Sequence, residues 1–87
     1  MIEVLVGEKV VVDLRGPFVC LGTLEAIDER HLELRNADLH DLRDTQTTRE
    51  NYVMSAATTG IKRNRKRVFI VRTEVVAISR LDEVVDE

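Results

Sequence analysis

Five short stretches of the chain carry apolar residues at the spacing of β-strands. Val10, Val12 and Leu14 alternate with Val11, Asp13 and Arg15, a β-branched run of period two that predicts a first strand over 10–14. Gly16-Pro17 then breaks it, because proline cannot donate to a sheet ladder. A second strand is expected over 18–28, with Gly22 in its middle. Glycine inside a strand marks a bend or a close backbone approach, so Gly22 is read as structural. The polar Asp28-Glu29-Arg30 suits a tight turn, and Asp28 is expected to cap it by accepting from backbone amides. Over 31–36, Leu32 and Leu34 oppose His31, Glu33 and Arg35, which predicts a third strand with one solvated face, ending at Asn36. The runs 68–71 and 75–78 predict a fourth and a fifth strand across the three-residue break Arg72-Thr73-Glu74.

Roughly thirty residues separate the third and fourth strands, too many for a structureless loop in a compact domain. Thr47-Thr48-Arg49-Glu50 has threonine followed three positions later by glutamate, a capping-box pattern. Tyr52/Ala56 and Val53/Ala57 pair at i,i+4 behind it. Gly60 is expected to close the helix in the left-handed conformation, with Ile61 packing back. This predicts a helix over 48–58 within an insert spanning about 38–66. Residues 2–6 read as one helical turn or a short strand, ended by Gly7.

Composition narrows the picture. At 87 residues the chain is one small domain whose core alone supplies limited stability, read as 1–81 with an acidic tail over 82–87. Its single cysteine, Cys20, excludes an intrachain disulfide and a cysteine-based zinc site. Flanked by Val19 and Leu21, it is expected to be buried and inert. His40 and its neighbouring aspartates do not form a convincing metal site, because alternate positions of an extended chain face opposite ways. Neither a metal nor a cofactor is expected, and no nucleophile has a positioned base, so the chain does not read as an enzyme. No apolar run reaches the ~18 residues of a membrane span, and the start lacks a basic leader, so a cytoplasmic location is expected. The net charge of −3 averages two opposed segments, basic Lys62-Arg63-Asn64-Arg65-Lys66-Arg67 and acidic Asp82-Glu83-Val84-Val85-Asp86-Glu87.

Several short, bent strands around a thin core make a small barrel. The order Gly22-Thr23-Leu24, Ile27-Asp28, Leu32, Leu34, Asn36 and Ala37 resembles the first Sm motif, and Val68 to Ile78, with Arg72 before a tight break, resembles the second. The resemblance is to the Sm and Sm-like (LSm) superfamily, with compact turns closest to its bacterial Hfq-type branch. It implies a mostly β fold, a small, strongly bent five-stranded barrel (SH3-like) with a helix inserted between strands 3 and 4. It further implies a homo-oligomeric ring of five to eight subunits, strand 4 of one pairing with strand 5 of the next, that binds single-stranded RNA. Ring closure would also cover sheet edges that otherwise invite aggregation.

By the same resemblance, Arg30 takes the place of a base-stacking side chain, His31 bonds or stacks a base, and Arg72, followed by Thr73, supplies the cation at the pore. Guanidinium planes stack on bases as aromatics do. Lys62, Arg63, Arg65, Lys66 and Arg67 are expected just before strand 4, where they would track the RNA backbone as a basic rim. Glu29, His31, Leu32 and Thr73 depart from the family's usual residues. With the negative net charge, they favour a second reading, a ring that binds a protein through the helix at 48–58 without reading RNA sequence.

Overall fold

The computed structural model describes residues 1–86. Five antiparallel strands form one strongly bent sheet in the order β4-β3-β2-β1-β5: β1 (Lys9–Leu14), β2 (Phe18–Ile27), β3 (His31–Asp41), β4 (Arg65–Val71) and β5 (Val75–Arg80). Among the described residues a single α-helix, α1 (Arg49–Thr59), stands between β3 and β4, and Ile2–Leu5 forms a 3-10 turn. No helix among the described residues is long and apolar enough to cross a membrane.

The first three strands form a meander in which the β2–β3 register shifts twice, around Gly22 and again between Leu24 and Ala26. Leu21 pairs with Asp38 and Thr23 with Arg35, so Gly22 faces the two residues Asn36 and Ala37. That is a bulge, and Asn36 takes the positive φ of 49° that asparagine tolerates. A Cβ on Gly22 would meet Ala37 Cα, Ala37 Cβ and the Arg35 carbonyl oxygen, each at 3.1 Å. The bulge also corrects the expected end of the third strand at Asn36. The one-residue slip swaps the faces, and β3 continues to Asp41 with Ala37 and Leu39 turned to the core that Leu32 and Leu34 fill.

Two cores lie on opposite faces of the sheet. Val10, Val12, Cys20, Leu24, Leu32, Leu34 and Ile70 fill the concave side, with Ile2 and Leu5 packed against them. Val11, Val19 and Leu21 face the other way and are covered by Val53 and Ala56 of α1 and by Leu81. Val11 is therefore buried too, so alternation understates the burial of β1. Burial pushes the Cys20 thiol up to about 12, with the Asp38 charge acting the same way, so it stays protonated and inert.

The insert is shorter than expected, 42–64 rather than 38–66, because both flanking strands are longer. Thr48, not Thr47, is the N-cap: its Oγ1 accepts from the Asn51 amide at 3.1 Å. Val53 and Ala56 face the core, whereas Ala57 of the expected Val53/Ala57 pair is exposed. Gly60 ends the helix at φ 100° and ψ 160°, a positive φ but not the left-handed helical region expected. Its amide donates to the Ala56 carbonyl at 2.9 Å, and Ile61 packs onto the second core.

The acidic segment opens inside a 3-10 turn, Leu81–Glu83, and Val84 packs against the second core, so 82–87 is not wholly a free tail. Glu87 lies outside the described residues.

Candidate nucleic-acid interface

The turn between β2 and β3 is built on Asp28. Its Oδ1 accepts from the Arg30 amide at 2.8 Å and from the His31 amide at 2.6 Å, while its own amide donates to the His31 carbonyl at 3.0 Å. These amide donors, Arg30's first, hold the Asp28 carboxyl below its usual range. Asp28 thus caps the turn as its position predicts.

The β4–β5 turn (Arg72–Glu74) is locked onto this one. The Arg72 amide donates to the Arg30 carbonyl at 2.7 Å, and Arg72 Nη1 donates to the Asp28 carbonyl at 2.7 Å. Arg15 Nε donates to the Thr73 carbonyl at 3.1 Å, tying in the β1–β2 turn. Arg30, His31, Arg72 and Thr73, separated by some forty positions in sequence, therefore meet on one rim of the barrel. His31 Nδ1 lies 3.6 Å from Asp28 Oδ1, beyond hydrogen-bond reach but close enough for attraction when the ring is protonated.

Beside this turn, Ala26, Ile27, Asp28, His31, Glu33 and Phe69 line a shallow hollow of about 70 Å³. Phe69 is 60% exposed. Read as part of an apolar run, it was expected in a strand without assignment to a site. The available signal was parity, since Ile70 is buried in the core and Phe69 must point the other way.

The basic run stands apart from this rim. Arg65, Lys66 and Arg67 lie within β4 rather than before it, and only Lys62 and Arg63 precede the strand. At ~3.3 Å per residue, the length of β4 puts Arg65 about 20 Å from Arg72. Part of the run is also engaged within the chain. Arg67 Nε pairs with Glu33 at 2.9 Å, and Arg63 Nη1 donates to the Asn36 side chain at 2.6 Å. Lys62, Arg63, Arg65 and Lys66 have no carboxylate partner among the described residues.

A buried polar cluster joins the insert to the barrel, and sequence reading assigned it no role. Asp38, 4% exposed, accepts from the Tyr52 hydroxyl and from Asn64 Nδ2, the latter at 3.2 Å. Asn64 also brackets Leu39, accepting from its amide at 3.1 Å and donating to its carbonyl at 3.0 Å. The Tyr52 ring stacks on His40 with centroids 4.1 Å apart. Asn64, the one uncharged residue of the basic run, thus anchors the start of β4.

No family model matches the sequence, and no curated protein matches it. Among solved structures, the chain is similar to an Sm protein of Pyrococcus abyssii determined in complex with a uridine heptamer. The TM-score is 0.62 at 20% identity, over 91% of this chain and 90% of the other. The fold is therefore of the Sm type, a small, strongly bent five-stranded β-barrel, with a helix between β3 and β4.

Proposed function

We propose that this chain is an Sm-like protein of the compact-turn, Hfq-type branch that assembles into a homo-oligomeric ring and binds single-stranded RNA at the rim formed by its β2–β3 and β4–β5 turns. The observation that carries this reading is the Arg72 clasp on Asp28 and Arg30, which holds two cationic side chains and His31 together at one end of the barrel. Arg30 and His31 stack or bond bases beside the aromatic wall of Phe69, and Arg72 contributes one positive charge per subunit. Ring symmetry multiplies that charge around a pore. The Sm-type neighbour bound to uridines supports the reading, as do two open sheet edges that pairing between copies would cover.

The test is binding of labelled oligo-U, oligo-A and mixed RNA across a salt series. Expected is micromolar or tighter affinity at low salt, a negative salt slope, and at least a tenfold loss on Arg30→Glu with the fold intact. Affinity weaker than about 10 µM that Arg30→Glu leaves unchanged would overturn it.

A protein-binding scaffold on the same fold is the second reading. It is favoured by the engagement of Arg63 and Arg67 inside the chain and by Glu29 on the turn. A stable ring that ignores all three RNAs would select it, with α1 as the surface to probe.

A further inference from the structure

The ends of the sheet order are β4 and β5, and neither pairs along its outer side within the chain. Both carry exposed apolar residues, Val71 at 48% on one and Val76 at 68% on the other. Their charges are opposite. With Arg67 held by Glu33, Lys62, Arg63, Arg65 and Lys66 remain without carboxylate partners among the described residues at the start of β4, Arg63 bonding the neutral Asn36 side chain. After β5, Asp82 is held by Arg80 at 2.7 Å and Glu83 has no cationic partner among the described residues, while Asp86 lies back along the sheet in a hollow it shares with Asp13 and Arg49.

We propose that the basic run is an assembly element: Lys62, Arg65 and Lys66 face the acids that directly follow β5, Asp82 and Glu83, of a second copy when the two open edges meet in antiparallel register. This rests on the ring reading above and assigns the run to the ring rather than to RNA. The direction of pairing follows from the charges. Antiparallel alignment sets the start of β4 against the end of β5, cation against anion, and brings the apolar residues together at the other end. Parallel alignment would set Arg65 against Val75 and leave both charged segments unmatched. Opposite charges across a strand pair stabilise it and like charges oppose it, so the pattern also disfavours slipped registers. Arg80, which antiparallel pairing brings near Arg65, is already engaged by Asp82 and by Glu8 at 3.5 Å, which limits repulsion there. These groups are exposed, so salt screens the attraction over about 10 Å at 0.1 M.

The experiment is sedimentation or light scattering of the full chain over a dilution series at low and high salt. A basic-to-acidic variant (Lys62→Glu, Arg65→Glu, Lys66→Glu) is expected to raise the concentration of half-assembly at least tenfold. An acidic-to-basic variant (Asp82→Lys, Glu83→Lys) should do the same. Neither variant should assemble alone, but mixing the two should restore assembly with alternating subunits, because each basic edge then meets an acidic segment, and combining all five changes in one chain should restore it as well. Circular dichroism confirms that each variant is folded. Unchanged assembly in the basic-to-acidic variant, or failure of the five-fold variant to recover, overturns the proposal. Lost RNA binding with unchanged mass in the basic-to-acidic variant overturns it too and assigns the run to RNA. A wild-type chain that stays monomeric at every concentration overturns the ring reading itself, a result distinct from any variant effect.

Discussion

Substituting Tyr52 by phenylalanine isolates the polar clasp between the insert and the barrel. The ring and its stack on His40 are kept, and only the hydroxyl that donates to Asp38 is lost. Asp38 is 4% exposed, so water does not readily replace the lost donor, and Asn64 Nδ2 at 3.2 Å remains as the other side-chain partner. A hydrogen bond to a charged group contributes about 1.5–3 kcal/mol, so Tyr52→Phe should destabilise the fold by about 2 kcal/mol. For a domain of this size that is a fall in Tm of about 8–16 °C. The effect also has a pH signature. Burial, reinforced by the bond to Asp38, holds the Tyr52 phenol well above the ordinary tyrosine value. A raised folded-state value means the contribution is complete below the unfolded value of about 10 and is lost as pH rises through the folded one. The gap between wild type and Tyr52→Phe should therefore be constant from pH 6 to 9 and narrow above about pH 10. Thermal and urea unfolding followed by circular dichroism measures both. A difference below about 0.5 kcal/mol at pH 7, or a gap that persists unchanged above pH 10, would refute the clasp as a stabilising contact.

Gly22→Ala should cost about 1–3 kcal/mol in urea unfolding, because its Cβ meets backbone on the facing strand and not the mobile end of a side chain. A neutral result would mean the bulge relaxes freely. Gly60→Val should destabilise by about 1 kcal/mol or more through backbone strain alone, since nothing lies within 4 Å of a Cβ there; equal stability would contradict the φ of 100°. Acid should weaken the fold below about pH 4, where Asp28, Asp41 and Asp82 begin to protonate. Their lowered folded-state values make a contribution present above the unfolded value and lost as pH falls. An acid titration of Asp28→Asn with the same slope as wild type would remove Asp28 from that account.

Period-two alternation located β1 and β3, where one buried face leaves its mark in sequence, and short β-branched apolar runs located β4 and β5. Alternation failed where burial is two-sided or the register slips. Val11 looked like a solvent position because α1 covers it from a distant part of the chain. Residues 37–41 looked like loop because the bulge at Asn36 reverses their faces. The rim was legible in part: Asp28 announced its turn, and Arg72 stood where the second motif requires a cation. That the Arg72 guanidinium bonds the Asp28 carbonyl is a tertiary fact with no local trace. Lys62 to Arg67 appeared as a single block of charge, and only cross-strand geometry separated Arg67, held by Glu33, from its neighbours.

The order of strands has a kinetic consequence. The middle of the sheet, β3-β2-β1, is the first half of the chain, joined by two tight turns. Those pairings can nucleate locally as the chain leaves the ribosome, before either edge strand has been synthesised. Docking β5 on β1 instead closes loops from Leu14 to Val75 and from Val10 to Arg80, well over half the length of the chain. That late closure carries the larger entropic penalty. Substitutions in the meander should therefore slow refolding, whereas substitutions in β5 should mainly hasten unfolding.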